Sequence, residues 1–131
     1  MSSDLRRRAG RRGESVAARY LERDGYRVVE RNYRTREGEI DLVAISGKTL
    51  VFCEVKTLIA RAGTINGPVH PIEGIRPAKR IQVRRMARLW LAERRGAHQG
   101  LHFLNIRFDA IGVLLSPSGQ PLRLERIESA F

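Results

Sequence analysis

The chain has 131 residues, 42% of them hydrophobic, with 25 Lys and Arg against 14 Asp and Glu and a formal net charge of +11. That length suits one domain able to bury a core, and a single cysteine, Cys53, excludes an intrachain disulfide and a cysteine-paired zinc site. No secretory pattern follows the basic N-terminal residues and no uncharged run reaches the about 20 apolar residues of a helical membrane span. A cytoplasmic protein with no membrane partner and no disulfide-linked partner is expected.

Residues 1–12 read as a basic arm carrying Arg6, Arg7, Arg8, Arg11 and Arg12, and residues 13–131 as a single domain. The net positive charge attracts polyanions by releasing their counterions. A solvated basic surface, or the Arg-rich codon usage of a GC-rich genome, is the competing explanation. A helix is predicted from Gly13 to Asp24, with Gly25 placed to end it in the left-handed conformation. Residues 14, 17, 18 and 21 follow helical spacing, so Glu14 shares the core-facing stripe of Ala17, Ala18 and Leu21. The alternative role for Glu14 is to complement the macrodipole at a helix N-terminus.

A strand is predicted over Tyr26–Glu30 and a polar turn over Asn32–Gly38. Two strands, Glu39–Ile45 and Thr49–Lys56, are joined at Ser46-Gly47-Lys48 and make a hairpin. An irregular stretch rich in Gly and Pro runs from about Thr57 to Pro77. Pro77 suits the first turn of a helix over Ala78–Arg95, with Val83, Met86, Ala87, Trp90 and Leu91 on its apolar face. Arg80, Arg84 and Arg88 form an i, i+4 ladder whose mutual repulsion an anion would relieve. Strands are expected over Leu101–Val113 and Leu122–Ile127, with a turn at Ser116–Gly119. Cys53 and Trp90 read as core residues, Arg107 and Asp109 as a pair on one strand face, and His98 and His102 as a poor zinc site.

The chemistry concentrates in Gly38-Glu39-Ile40-Asp41-Leu42 and Val51-Phe52-Cys53-Glu54-Val55-Lys56. Strand alternation puts Ile40, Leu42 and Ala44 on one face and Glu39, Asp41 and Val43 on the other, while Glu54 and Lys56 share a face. Charges in an otherwise apolar hairpin are costly unless compensated. If Asp41 and Glu54 meet across neighbouring strands, they can hold one divalent cation, with the Val55 carbonyl as a further oxygen ligand and Lys56 beside them. A metal that polarises phosphate and activates water, with a cation to stabilise developing charge, is what phosphodiester hydrolysis needs. A plain Asp/Glu–Lys ion-pair cluster is the structural alternative.

These segments, with Arg12-Gly13-Glu14, Ala18, Gly25-Tyr26, Asn32-Tyr33-Arg34, Thr57 and Arg107-Phe108-Asp109, resemble the bacterial YraN-like family across most of the chain. That family's function is poorly defined. Its motifs are similar to those of archaeal Holliday-junction resolvases and, more distantly, of PD-(D/E)XK nucleases. The resemblance implies an α/β restriction-endonuclease-like fold, a mixed central sheet flanked by helices. It also implies Glu14 as the helix carboxylate near the metal, Asp41 and Glu54 as ligands, Lys56 as the catalytic lysine and Glu39 as an outer group. Two positions depart from the pattern. Ile40 stands where many nucleases have Pro, and Leu58 stands where relatives often have Arg, which removes a candidate phosphate contact.

The expected function is a Mg²⁺- or Mn²⁺-dependent endonuclease acting on DNA, branched DNA included, with Arg11, Arg12, Arg34, Arg80, Arg84 and Arg88 as backbone contacts. Resolvases cut paired strands as dimers, so a homodimer is the corresponding expectation. A non-catalytic nucleic-acid-binding module on the same fold is the runner-up, and a basic RNA-associated protein the third reading, without an aromatic RNA-binding signature to support it.

Overall fold

The computed structural model describes residues 3–61, 77–94 and 102–131. Helix α1 spans Ser3–Arg23, followed by strands β1 (Arg27–Thr35), β2 (Gly38–Ser46) and β3 (Thr49–Ile59), helix α2 (Pro77–Arg94), and strands β4 (Asn105–Leu115) and β5 (Pro121–Ile127). The strands form one sheet in the order β1-β2-β3-β4-β5. Only the β3–β4 pair is parallel. The parallel step requires a crossover, and α2 lies within it.

Helix α1 covers one face of the sheet and α2 the other. Ala17, Ala18 and Leu21 pack with Leu42, Ala44, Val51, Cys53, Ile111, Val113 and Leu115. Met86, Ala87 and Trp90 pack with Tyr33, Ile40, Val43, Ile45, Leu50 and Phe52. Burial on both faces explains why the central strands read as near-continuous apolar runs. This mixed sheet between two helices is the α/β arrangement of the restriction-endonuclease-like fold. Among the described residues no helix is long and apolar enough to cross a membrane.

Several boundaries differ from expectation. Helix α1 begins at Ser3, not near Gly13, so Arg6 to Arg12 lie on its first turns. It ends as expected: Gly25 has φ 92°, its amide bonds the Glu22 carbonyl, and the Tyr26 amide bonds the Leu21 carbonyl at 2.9 Å. Gly13 is buried because the helix meets β3 there; a Cβ at this position would overlap the Thr57 side chain. Strand β1 runs on to Thr35, which pairs with Gly38 across the tight turn at Arg36-Glu37, so Asn32–Thr35 is strand and not turn. Tyr33 is buried on the α2 face and extends the strand's packing.

Strand β3 likewise continues to Ile59, pairing with β4 up to Leu115. The remainder of the Gly/Pro-rich stretch, residues 62–76, lies outside the described residues, as does His98. Cys53 and Trp90 are core residues, as read from the sequence. Arg107 and Asp109 do pair, through two hydrogen bonds of 2.8 Å.

Candidate metal centre

The β2–β3 hairpin supplies the frame. Its ladder runs from Ser46–Thr49 to Leu42–Cys53 and ends there. One step further, Asp41 and Glu54 would be opposite each other. At this point the Asp41 side chain substitutes for the backbone: its Oδ2 accepts the Val55 amide at 2.7 Å. Strict alternation fails at the same place. Leu42 and Ala44 face α1, but Ile40 joins Val43 and Ile45 on the α2 face, not the side shared by Leu42 as expected. Losing register with β3 frees residues 38–41 to turn, while pairing with β1 continues.

Helices from both faces reach this opening. From α1 comes Glu14: one carboxylate oxygen each of Glu14, Glu39 and Asp41 all lie within 4.8 Å of one another. From α2 comes Lys79, whose Nζ is 3.3 Å from Glu54 Oε1. The other Glu54 oxygen, Oε2, is buried and has no hydrogen-bond partner. Arg34 lies opposite Glu39 in the β1–β2 register and donates from Nε to Glu39 Oε2 at 3.1 Å. Asn32, held at φ 53°, offers its side chain to Glu14. Asn tolerates that left-handed backbone better than most residues.

Burial and mutual repulsion disturb these carboxyls in one direction. Burial, and then the Glu54 charge, push Asp41 up to about 8 against the opposing Val55 amide. Burial also raises Glu54, with Lys79 and then a side-chain hydrogen bond with Asp41 pulling the other way. Glu14 is raised by burial and by Glu39, with Asn32 and Arg34 opposing. Acidic groups converge here with more negative charge than their neighbours neutralise.

A divalent cation fits this donor set. Hard cations take oxygen ligands, three carboxylate oxygens already lie close together, and the Glu54 oxygen lacks a partner. Glu14, Glu39 and Asp41 would form the nucleus, with Glu54 and the Val55 carbonyl as neighbouring oxygen donors.

The remaining sequence candidates fall into two groups. Lys56 stands two residues beyond Glu54 in β3, half-buried and level with Gly112 of β4. Arg34 joins the cluster through Glu39. Arg11 is exposed on α1, and Arg12 donates to the Gly119 carbonyl at 3.0 Å. Arg80, Arg84 and Arg88 are exposed on α2, with the Arg84 guanidinium 4.7 Å from the centre of the Phe108 ring. Leu58, where an Arg would have offered a phosphate contact, is 40% exposed. Sequence reasoning did not find Lys79 or Asn32, and it ranked Glu39 below the place the geometry gives it. For Lys79 the sequence held no signal beyond its being one of three lysines. For Asn32 the signal was an Asn-Tyr-Arg run facing a hairpin of acids.

Comparison with known proteins converges on one family. Residues 13–113 match the "Uncharacterised protein family UPF0102". A UPF0102 protein of Frankia casuarinae is 45% identical over 122 residues, covering 93% of this chain and 94% of its own length. One from Streptomyces griseus is 43% identical over 113 residues, covering 86% and 87%. One from Geobacter sulfurreducens is 42% identical over 123 residues, covering 93% and 87%. The matched region contains Glu14, Glu39, Asp41, Glu54, Lys56 and Lys79. The chain therefore belongs to UPF0102, the YraN-like family that its motifs resemble.

Proposed function

We propose that this protein is a divalent-metal-dependent endonuclease that hydrolyses DNA phosphodiester bonds, with structured or branched DNA as the favoured substrate. The observation that carries the reading is the convergence of Glu14, Glu39 and Asp41 within 4.8 Å, beside a Glu54 oxygen that lacks a partner. Carboxylates that raise one another's pKa are costly to gather, and a bound cation offsets that cost. The net charge of +11 supports a polyanionic substrate.

Mg²⁺ or Mn²⁺ at this centre would supply Lewis-acid polarisation of the phosphate and activation of the attacking water. The protein's own residues do the rest. The Val55 amide fixes the Asp41 carboxylate in orientation, and Arg34 does the same for Glu39. Lys56, two residues beyond Glu54 in β3, would supply the positive charge that stabilises the negative charge developing on the phosphate. Arg80, Arg84 and Arg88 hold the backbone of the bound DNA from the exposed side of α2. Paired cutting of a branched substrate requires two copies, so self-association belongs to that version of the reading. Light scattering that finds only monomer, with and without DNA, would refute it.

The test is cleavage of labelled duplex, single-strand, flap and four-way-junction DNA in Mg²⁺ or Mn²⁺, with Asp41→Ala and Lys56→Ala purified identically. Activity should require metal, disappear in Asp41→Ala and fall by about 10²–10³-fold in Lys56→Ala. Equal activity in all three proteins would mean a contaminating nuclease. One observation favours the second reading, a non-catalytic nucleic-acid-binding module: Lys79 already neutralises part of the charge on Glu54. Tight DNA binding without cleavage, and no calorimetric heat with Mn²⁺, would establish it.

A further inference from the structure

We propose that the trough between α1 and β5 is a second track for the DNA backbone, separate from the carboxylate centre and lined by Arg8, Arg12, Arg19 and Arg23. The proposal deepens the reading above and rests on it for the choice of DNA as occupant.

The track follows from helical spacing. Residues 8, 12, 19 and 23 of α1 fall within about a quarter of the helix circumference at 3.6 residues per turn, and Val16 completes the row. This row flanks the β5 side of the helix, where Arg12, Arg19 and Arg23 line a depression with Val16, Tyr20 and Leu122. An adjoining depression shares Arg12 and adds Arg8 beside the Ser116–Gln120 turn. The bond from Arg12 Nε to the Gly119 carbonyl fastens the helix to that turn at the junction of the two.

No carboxylate lines either depression among the described residues. The acids on and just beyond α1 are engaged off the row: Asp4 with Arg7, Glu22 with Arg31, Asp24 with Arg126, and Glu14 in the carboxylate centre. Like charges at i, i+4, as at 8/12 and 19/23, repel one another, and an anion along the row removes that cost.

Shape selects the kind of anion. The two depressions hold about 280 and 500 Å³ and share Arg12, so they join end to end along the helix. The row from Arg8 to Arg23 is about 22 Å long at 1.5 Å per residue. That matches about six base-pair steps of duplex, at ~3.4 Å of helix axis for each phosphate of one strand. An elongated trough of that length suits a continuous backbone better than a single phosphate. Glu14 rises from the opposite side of the same helix, so DNA in the trough would be held by the element that also carries a carboxylate of the centre.

The experiment is fluorescence-anisotropy binding of a labelled duplex in EDTA across a range of salt. It compares wild type, Arg19→Ala/Arg23→Ala, Arg19→Lys/Arg23→Lys and Arg27→Ala/Lys48→Ala. The last pair removes equal charge from exposed positions at the far end of the β1–β3 strands. The Arg19/Arg23 alanine variant should bind roughly tenfold or more weakly, and its log K against log salt slope should fall by about 2, at ~0.9 for each phosphate no longer neutralised. The lysine variant should keep most of the slope, and Arg27→Ala/Lys48→Ala should change it little. An unchanged slope in the alanine variant, an equal loss in Arg27→Ala/Lys48→Ala, or no duplex binding by wild type at low salt would each overturn the track. Tighter competition by structured RNA or polyglutamate of equal charge would overturn DNA as its occupant. Slope loss without metal-dependent cleavage on any DNA would leave the track standing and refute the nuclease reading alone.

Discussion

Raising the pH should destabilise the metal-free protein, and Asp41→Asn should remove most of that effect. Asp41 titrates near its ordinary 3.8 in the unfolded chain but is pushed up to about 8 in the fold by burial and by the Glu54 charge. Between those values the folded state binds more protons than the unfolded one, so stability falls as pH rises. The contribution is fully present below about pH 4 and is lost as pH climbs through 8. At ~1.4 kcal/mol per pH unit, forcing Asp41 to ionise in the fold costs at most about 6 kcal/mol. The raised carboxyls of Glu14 and Glu54 tilt stability the same way.

Asn keeps an oxygen to accept the Val55 amide and carries no charge, so it tests charge with little change of shape. In EDTA, thermal melts by circular dichroism between pH 5 and 8.5 should show wild type losing roughly 6 °C or more relative to Asp41→Asn, at ~3–5 °C per kcal/mol for a domain of this size. Mg²⁺ or Mn²⁺ should raise the wild-type midpoint more at pH 8 than at pH 5.5, and should do little for the variant. A ligand present at 100 times its Kd adds ~2.7 kcal/mol. Parallel pH profiles for the two proteins in EDTA would refute the argument that these carboxyls meet uncompensated.

Two further variants test the frame that positions the centre. Gly13→Ala should lower stability by about 1–2 kcal/mol in urea unfolding: the overpacking against Thr57 costs ~1–3 kcal/mol, and helix propensity returns up to ~1. Adding Thr57→Ala, which removes the Oγ1 and Cγ2 that crowd the new methyl, should restore part of the loss. Asp109→Ala should cost about 3–5 kcal/mol, because it leaves Arg107 without its bidentate partner in a largely buried position. Asp109→Asn should cost less, since it can still accept the Ser129 amide.

The hairpin and the meeting of its carboxylates were legible because they depend on neighbours in sequence. Period-two alternation and a Gly-containing turn place Asp41 and Glu54 on adjacent strands, and the ladder ending at Leu42–Cys53 brings them to the same level. Glu14 was legible because helical spacing ties it to Ala17, Ala18 and Leu21. The errors share a physical source. The Asn32–Thr35 segment is polar and looks like a turn, yet β2 gives it a partner and Tyr33 a core to enter, so tertiary pairing overrides composition. That error hid the Arg34–Glu39 pair, which follows at once when β1 reaches Thr35. The displaced face of Ile40 was unreadable because alternation assumes an unbroken ladder, and the ladder breaks where Asp41 takes the Val55 amide. Lys79 lies 25 positions beyond Glu54, across residues 62–76, and only the docking of α2 on the sheet brings the two together.

Lys79 is also where the two functional readings part. Its ammonium lies 3.3 Å from Glu54, and both side chains are partly exposed, so solvent screens the pair and its worth is on the order of 1 kcal/mol. A cation that uses Glu54 as a ligand has to compete with that lysine. If the site is a metal centre, Lys79→Ala should tighten Mn²⁺ binding by up to about tenfold, since 1.4 kcal/mol is a factor of ten. The same variant should melt lower than wild type in EDTA at pH 8, because Glu54 has lost the partner that opposed its burial. Metal should then close most of the gap. If the cluster is only an ion-pair network, the variant melts lower in EDTA and metal restores nothing. Titration calorimetry with Mn²⁺, beside melts with and without metal, reads both quantities. A variant that loses stability and binds metal no better than wild type would show that Lys79 holds the cluster together and does not stand in for a cation.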